Sequence, residues 1–487
     1  MSMETRKAQE SDMKVLCRLF EDGIADMEKR GLDQWRWEVY PNETVLAQDL
    51  EDENLYLMLE DDSPVAAFTI NQEQPPQYDS LVWHLGVRPA AMHRLVVASS
   101  CQGRGVGKAA MAEVMRIAGE MGCDCLRLDT YSRNLKAMAL YERIGMRNVG
   151  KVYFDERITP YECYEIAVTE NCPLLPLKMR PAFRHGKDTP WGGDNLKRLF
   201  GKDIPDDRTG ESMEMSVIPG QVSRTLSGEG LDELLLAYGE KVQGTAIKGP
   251  FPLLLKLLDA REALSVQVHP TDAYAAANEG GKLGKTEAWI ILSAAPDAEL
   301  VYGIMPGTTR EQLEEAVRLG AAVEPLLRRV KVKEGDVCFI PAGCVHAIGA
   351  GIVLYEIQQS SDVTYRFYDW DRQDEKGEKR PLHIEKALDV TDLDFQLEPV
   401  PRTPDKGAVR LLENDIFTLD RLHVSSDLVL PCDPRHFSCL TALSTLLLTW
   451  EGDALELKKG DTVLLPALRP KLTLQGVGEA ILAAPRV

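Results

Sequence analysis

Two stretches of the chain, KEGDVCFIPAGCVH at residues 333–346 and KKGDTVLLPALRPK at residues 458–471, follow one plan. Each runs from a lysine through Gly-Asp and four largely apolar residues to Pro-Ala. Gly-Asp suits a tight turn, and the apolar run suits a buried strand. A chain that writes this unit twice, 125 residues apart, is built to fold two related β units, as sandwiches or barrels. The copies part company at their ends: His346 in the first stands where Lys471 stands in the second. Chemistry that needs His346 is absent from the second copy.

The 487 residues exceed what one core organises, and a hydrophobic content of 44% is enough for several. The segment ENCPLLPLKMRP, residues 170–181, carries three prolines and separates a mixed helix-and-strand pattern from one dominated by short strands and turns. The expected domains are residues 1–169, 173–395 and 396–487. A net charge of −20 excludes nucleic acid or an anionic membrane as the main partner, while leaving room for a local basic pocket. Ten cysteines without a CxxC pair point to a reduced, cytoplasmic chain. No signal-like N-terminus and no run of about 18 apolar residues is present, so no membrane span is expected.

In the first part, HRLVVASSCQGRGVGKAAMAEVMRIAGEMG at residues 93–122 reads as strand, glycine loop and helix. Val106, Ala110, Val114, Ile117 and Met121 recur at helical spacing, and Gly122 can end the helix. Such a loop presents free N–H groups suited to a phosphate or pyrophosphate. CLRLDTYSRNLKAMALYERIGM, residues 125–146, adds a strand and a second helix with Asn134 and Tyr141. Together these resemble the acyl-CoA-binding core of the Gcn5-related N-acetyltransferase (GNAT) superfamily, over about residues 3–168. The resemblance implies an α+β domain that takes acetyl-CoA as cosubstrate. Leu95 and Val97 would line the pantetheine arm. The loop Gln102, Gly103, Arg104, Gly105, Val106, Gly107 and Lys108 would hold the pyrophosphate, and Asn134 would bond the cosubstrate. Tyr141 would protonate the departing thiolate, or else serve only as core packing. The amine acceptor is not legible, and Glu60 and Glu73 are acids that nothing singles out as its base.

In LSVQVHP, residues 264–270, alternation puts Val266 and Val268 on one strand face and Gln267 and His269 on the other. Glu287 heads an apolar strand in GKTEAWIIL, and His346 follows a Pro-Ala-Gly turn. Two imidazoles, a carboxylate and an amide oxygen make a plausible mixed site for zinc or a similar ion. Each also has a plain reading: Glu287 as a partner of Lys285, for example.

These segments, with PAFRHGKDTPWGG, TGESMEMS, FPLLLKLLDAREALSVQVHP, IPAGCVHAIGAGIVLYEIQQSSDVTYRFYDWDR and PLHIEKAL, resemble type I mannose-6-phosphate isomerases of the short bacterial form. The match runs through most of residues 173–487, with a slightly longer FRHGKDTPWGG and an altered ESMEMS. It implies a mainly β isomerase of two cupin-like (jelly-roll) barrels. One Zn2+ per chain would be held by Gln267, His269, Glu287 and His346. Mannose 6-phosphate and fructose 6-phosphate would be the substrates, exchanged through an enediol. Candidates for the proton transfer and its electrostatics are Arg366, Lys285 and Glu356, with Lys256 shaping the charge; Arg366 could instead pair with Asp369. A sugar-binding cupin without isomerase activity, fused to an acetyl-CoA-sensing domain, is the rival. A homodimer is left open.

Overall fold

The computed structural model describes residues 3–154, 157–373, 376–401 and 407–487. It divides into two units, Met1–Leu175 and Pro176–Val487.

The first unit is built on a seven-stranded sheet in the order Met3–Lys7, Leu55–Glu60, Ser63–Asn71, Pro89–Val97, Cys125–Tyr131, Tyr161–Ala167, Arg147–Val152. One neighbouring pair is parallel: Pro89–Val97 with Cys125–Tyr131. Its register runs from Pro89 opposite Cys125 to Met92 opposite Leu128 and then stops, so the two strands fork. Helix Val106–Glu120 packs Val106, Ala110, Val114 and Ile117 against Leu126 and Leu128 on one sheet face. Helix Met13–Lys29 packs Leu16, Phe20 and Ile24 against Leu57, Val96 and Tyr131 on the other. The helical stripe falls one residue short of expectation. The helix ends at Glu120, and Met121 becomes its 36% exposed cap residue before Gly122, whose φ of +77° turns the chain.

The second unit is mostly β. A six-stranded sheet runs Val337–Ile340, Glu287–Ala294, Ile352–Gln359, Leu253–Ala260, Thr209–Met215, Ala182–His185. Its central strands Leu253–Ala260 and Ile352–Gln359 are buried along their whole length, which is why they read as near-continuous apolar runs. They are interrupted by Lys256 and Glu356, which stand directly opposite each other. A five-stranded sheet, Leu327–Lys331, Glu299–Ile304, His346–Ile348, Val266–Val268, Tyr365–Tyr368, faces the first. Trp289, Ile291 and Leu354 of one meet Leu300, Tyr302 and Ile348 of the other. The outer face of the five-stranded sheet, with Val266, Val268 and Phe367, is covered by helices Arg310–Arg318 and Ile384–Val390.

A second layer pair is formed by residues 407–485. Its seven-stranded sheet also takes in Leu177–Arg180, paired to Thr462–Leu465, and beyond it Arg224–Thr225. The repeated motif produces the same turn in both places. Asp336 accepts a hydrogen bond from the Lys333 N–H at 2.9 Å, and Asp461 from the Lys458 N–H at 2.6 Å. Gly335 and Gly460 take φ of +92° and +91°. Strands Val337–Ile340 and Thr462–Leu465 follow. Among the described residues no helix is long and apolar enough to cross a membrane.

The short strand His346–Ile348 is followed by Gly349, where a Cβ would stand 1.9 Å from the Glu299 carbonyl oxygen. That contact is with backbone and cannot be relieved by a rotamer change. Gly349→Ala is therefore expected to destabilise the protein by about 3 kcal/mol, at the upper end of overpacking effects. A melting temperature unchanged in thermal denaturation would contradict this close approach.

Candidate functional site

The face of strand Val266–Val268 opposite its apolar core carries Gln267, and the chain then places His269 just past the strand end. Gln267 stands opposite His346 on one neighbouring strand and opposite Arg366 on the other. Its side-chain amide lies 3.3 Å from His346 Nε2. Glu287, first residue of Glu287–Ala294, reaches in from the facing sheet. Its carboxylate is 3.2 Å from His269 Nε2 and 3.9 Å from His346 Nε2. One ligand atom from each of His269, Glu287 and His346 lies within 4.8 Å of the others. All three residues are at most 1% exposed.

The donor chemistry fits a metal ion. His346 Nδ1 donates to the Cys344 carbonyl at 3.0 Å, which leaves the Nε2 lone pair facing Glu287 and Gln267. Nε2 of His269 lies 3.2 Å from Glu287 Oε1, but neither ring nitrogen makes a well-aligned hydrogen bond among the described residues. A buried imidazole without partners is unfavourable unless a lone pair is used by something else. Burial, then the charge of Lys285, lowers the His269 pKa to about 3, and burial also lowers that of His346, so both rings are neutral at working pH. For Glu287 burial pushes the pKa up, but the adjacent Lys285 charge outweighs it and holds the carboxylate well below its usual range. Lys285 Nζ is 2.9 Å from Glu287 Oε1, so the ion pair read from the sequence exists beside the cluster.

Beside this cluster is a cavity of about 410 Å³. Gln267, Lys285, Glu287, Glu356, Arg366 and Lys256 all line it. Burial, then the nearby Glu287, raises the Glu356 pKa, and Lys256 at 3.1 Å opposes the rise. Arg366 is not the partner of Asp369: Arg372 and Arg380 hold that carboxylate at 3.1 and 2.7 Å. The Arg366 Nε is buried without a hydrogen bond among the described residues. The sequence reading missed three participants. Trp289 Nε1–H lies between Glu287 and Glu356, 3.0 and 2.9 Å from their oxygens. Glu211 lies 3.4 Å from Lys256 Nζ, and Arg184 is 3.5 Å from Glu211. All three sit inside recognisable segments, but a tryptophan in an apolar strand carries no mark of the polar bridge it makes.

In the first unit, a groove of about 430 Å³ is lined by Leu95, Val97, Gln102, Gly103, Asn134 and Tyr141, and also by Gly107. Gly103 and Gly105 take φ of +78° and +86°, and a Cβ at either would meet nothing within 4 Å. Gly105 leads into helix Val106–Glu120, whose first-turn N–H groups at Val106, Gly107 and Lys108 have no preceding turn to bond. Gly107 also permits close packing, since a Cβ there would lie 3.2 Å from Leu140. Three side chains are otherwise engaged. Arg104 pairs with Glu60 at 2.8 Å, and Gln102 donates to Asp26 at 3.2 Å. Asn134 caps helix Leu135–Arg143 by accepting from the Ala137 N–H, while its amide nitrogen donates to Gln34. Tyr141 is 5% exposed, and burial raises its pKa, so it is a neutral phenol.

Residues 19–146 match the family model described as Acetyltransferase (GNAT) family, and residues 179–288 match that of Phosphomannose isomerase type I, catalytic domain. The chain is similar to a mannose-6-phosphate isomerase of Streptococcus mutans: 38% identical over 286 residues, covering 57% of this chain and 88% of the relative. The crystal structure of the mannose 6-phosphate isomerase from Bacillus subtilis superposes with a TM-score of 0.56 at 33% identity, covering 63% of this chain and 99% of that one. A mannose 6-phosphate isomerase crystallised with zinc and yttrium shares the fold, with a TM-score of 0.52 at 16% identity over 64% of this chain and 100% of the other.

The Trp289 bridge yields a test. Trp289→Phe keeps the ring but removes the N–H between two buried carboxylates. Loss of such an orienting contact is expected to weaken zinc binding about 10–100-fold, read by competition with a chromophoric chelator. Unchanged affinity would mean that the bridge does not position Glu287.

Proposed function

Because the chain belongs to the type I phosphomannose isomerase family and carries a GNAT acetyltransferase domain ahead of it, we propose that its second unit interconverts mannose 6-phosphate and fructose 6-phosphate. The observation that carries this reading is the convergence of His269, Glu287 and His346 within 4.8 Å beside a cavity lined by acid–base groups. Gln267, His269, Glu287 and His346 would hold one zinc ion, which supplies a Lewis acid for the oxygens at C1 and C2. Lys285 keeps Glu287 ionised and in place. Glu356, with its raised pKa, lines the cavity and moves the proton between C2 and C1. Lys256 and the Trp289 N–H fix its orientation. Arg366, free of Asp369, places a permanent charge against the developing enediolate. A cupin that only binds sugar needs neither Arg366 nor the Lys285–Glu287 pair at its cavity.

The layer pairs are read as two cupin-like barrels, catalytic within residues 173–395 and degenerate within residues 396–487, the latter completed by Leu177–Arg180. The second copy of the motif ends in Lys471, and no histidine lies in residues 440–457, so one zinc per chain is expected. A lysine ammonium is a poor ligand because it must first lose its proton.

A coupled assay for fructose 6-phosphate tests the isomerase. Chelation should abolish turnover and zinc should restore it. Glu356→Gln should lower kcat by about 10²–10⁴ while keeping its zinc. Isomerisation at the original rate by metal-free protein would contradict the reading.

The first unit is proposed to bind acetyl-CoA along the groove and transfer the acetyl group to an amine, with Tyr141 protonating the thiolate. Gly105→Glu places a side chain at a φ of +86° and a carboxylate against the diphosphate. Calorimetry should show acetyl-CoA binding by the native chain and at least tenfold weaker binding by the variant. Equal affinities would remove the loop from the site.

A further inference from the structure

The fork in the first sheet opens immediately after Leu128, and the next residue is Asp129. Strand alternation separates the faces there. Leu126 and Leu128 turn to the face that carries helix Val106–Glu120 and Tyr141. Tyr131, and with it Asp129, turns to the face that carries helix Met13–Lys29. A thioester entering between the forked strands from the Tyr141 side would therefore meet Asp129 from the opposite side.

Asp129 has the makings of a working group. Its carboxylate is half-buried, and Oδ2 accepts one hydrogen bond, from the Tyr78 hydroxyl at 2.9 Å. Among the described residues no cation pairs with it. Arg94, on the strand across the fork, is held by Asp49 at 2.5 Å, and Arg127 stacks 4.4 Å from the Trp83 ring. His93 bonds Asn71 at 2.7 Å and stays neutral, its pKa lowered to about 4 by burial and then by Arg94. Cys163 stands directly opposite Asp129 on the next strand, and Tyr161 opposite Tyr131. The negative charge of Asp129 helps raise the pKa of Tyr40, Tyr78, Tyr161 and Cys163, as well as that of Tyr141, and so keeps them neutral. The surroundings are thus rich in aromatic rings, the nearby Arg94 and Arg127 are engaged by Asp49 and Trp83, and the Asp129 carboxylate has no cation of its own, a setting that suits an organic ammonium.

We propose that Asp129 receives the acetyl acceptor as a cationic primary amine and takes its proton, opposite Tyr141 across the sheet fork. The proposal rests on the acetyl-CoA reading of the groove. An ammonium gives one proton to Asp129, and the freed nitrogen lone pair forms the N–C bond to the acetyl carbon. The C–S bond breaks, and the thiolate takes the Tyr141 proton. A second proton from nitrogen restores the phenol, and Asp129 releases its own to water. One N–H remains on the amide. Burial raises the Asp129 pKa to about 6, against the Tyr78 hydrogen bond, so the carboxylate is available at neutral pH and a strong enough base to matter. Activity requires the ionised form, so the rate should rise as pH passes upward through about 6 and then level.

The test uses the full chain, acetyl-CoA and ethylamine as a minimal cationic probe at high concentration. Thiol release and acetyl-CoA calorimetry are measured in parallel. Ethylamine-dependent release is expected, rising through about pH 6, and Asp129→Asn should lower it about 100-fold or more with acetyl-CoA affinity within twofold of native. Tyr78→Phe removes a hydrogen bond that holds the carboxylate pKa down, so its inflection should move to higher pH. A native-like rate in Asp129→Asn overturns the proposal, as does loss of the rate in His93→Gln with none in Asp129→Asn. Acetyl-CoA binding without any amine-dependent thiol release also overturns it, while leaving the groove reading intact. Absence of acetyl-CoA binding overturns both.

Discussion

A carboxylate that is 1% exposed and still ionised organises the second unit. Glu287 could not stay charged in a β core without compensation. Lys285 at 2.9 Å and the Trp289 N–H at 3.0 Å provide it. Each of these groups then needs its own support. Trp289 also reaches Glu356, which reaches Lys256, which reaches Glu211 and through it Arg184. The chain of alternating charge runs across adjacent strands of one sheet, and their mutual register is what keeps every member paired. Register is fixed because a one-residue slip would exchange the two faces of Leu253–Ala260 or Ile352–Gln359, carrying Lys256 or Glu356 away from its partner and into the apolar core.

Much of this arrangement was legible in the chain. Strand alternation alone placed Gln267 away from Val266 and Val268, and the duplicated Gly-Asp motif gave the same turn twice, down to the aspartate that closes it. What stayed hidden depended on contacts distant in sequence. The Trp289 partner Glu356 lies 67 residues away and meets it through strand pairing. Arg366 and Asp369 are close in sequence, yet an odd spacing along an extended chain sends them to opposite sides, and Arg372 and Arg380 reach the carboxylate instead. The strand Leu177–Arg180 joins a sheet otherwise built mainly from residues beyond 407, which a linear reading of domain boundaries has no means to foresee.

The first unit shows the same division. The glycine loop and its helix followed from spacing, whereas Asn134 turned out to be occupied as a helix cap, a role its residue type favours. Asp129 gave no signal, since an aspartate inside CLRLDTY looks like any strand residue until the fork beside it is seen. Both units therefore place their candidate groups where a sheet is interrupted or interleaved: a parallel pair that separates in one, two facing sheets that trade polar side chains in the other.

The most direct test is anomalous diffraction at the zinc edge from crystals of the full chain. The account predicts a single strong peak per chain at about 2.0–2.2 Å from His269, His346 and Glu287 donor atoms, with Gln267 completing the set. No peak between those residues in zinc-loaded crystals, or a peak of equal height near Lys471, would contradict it.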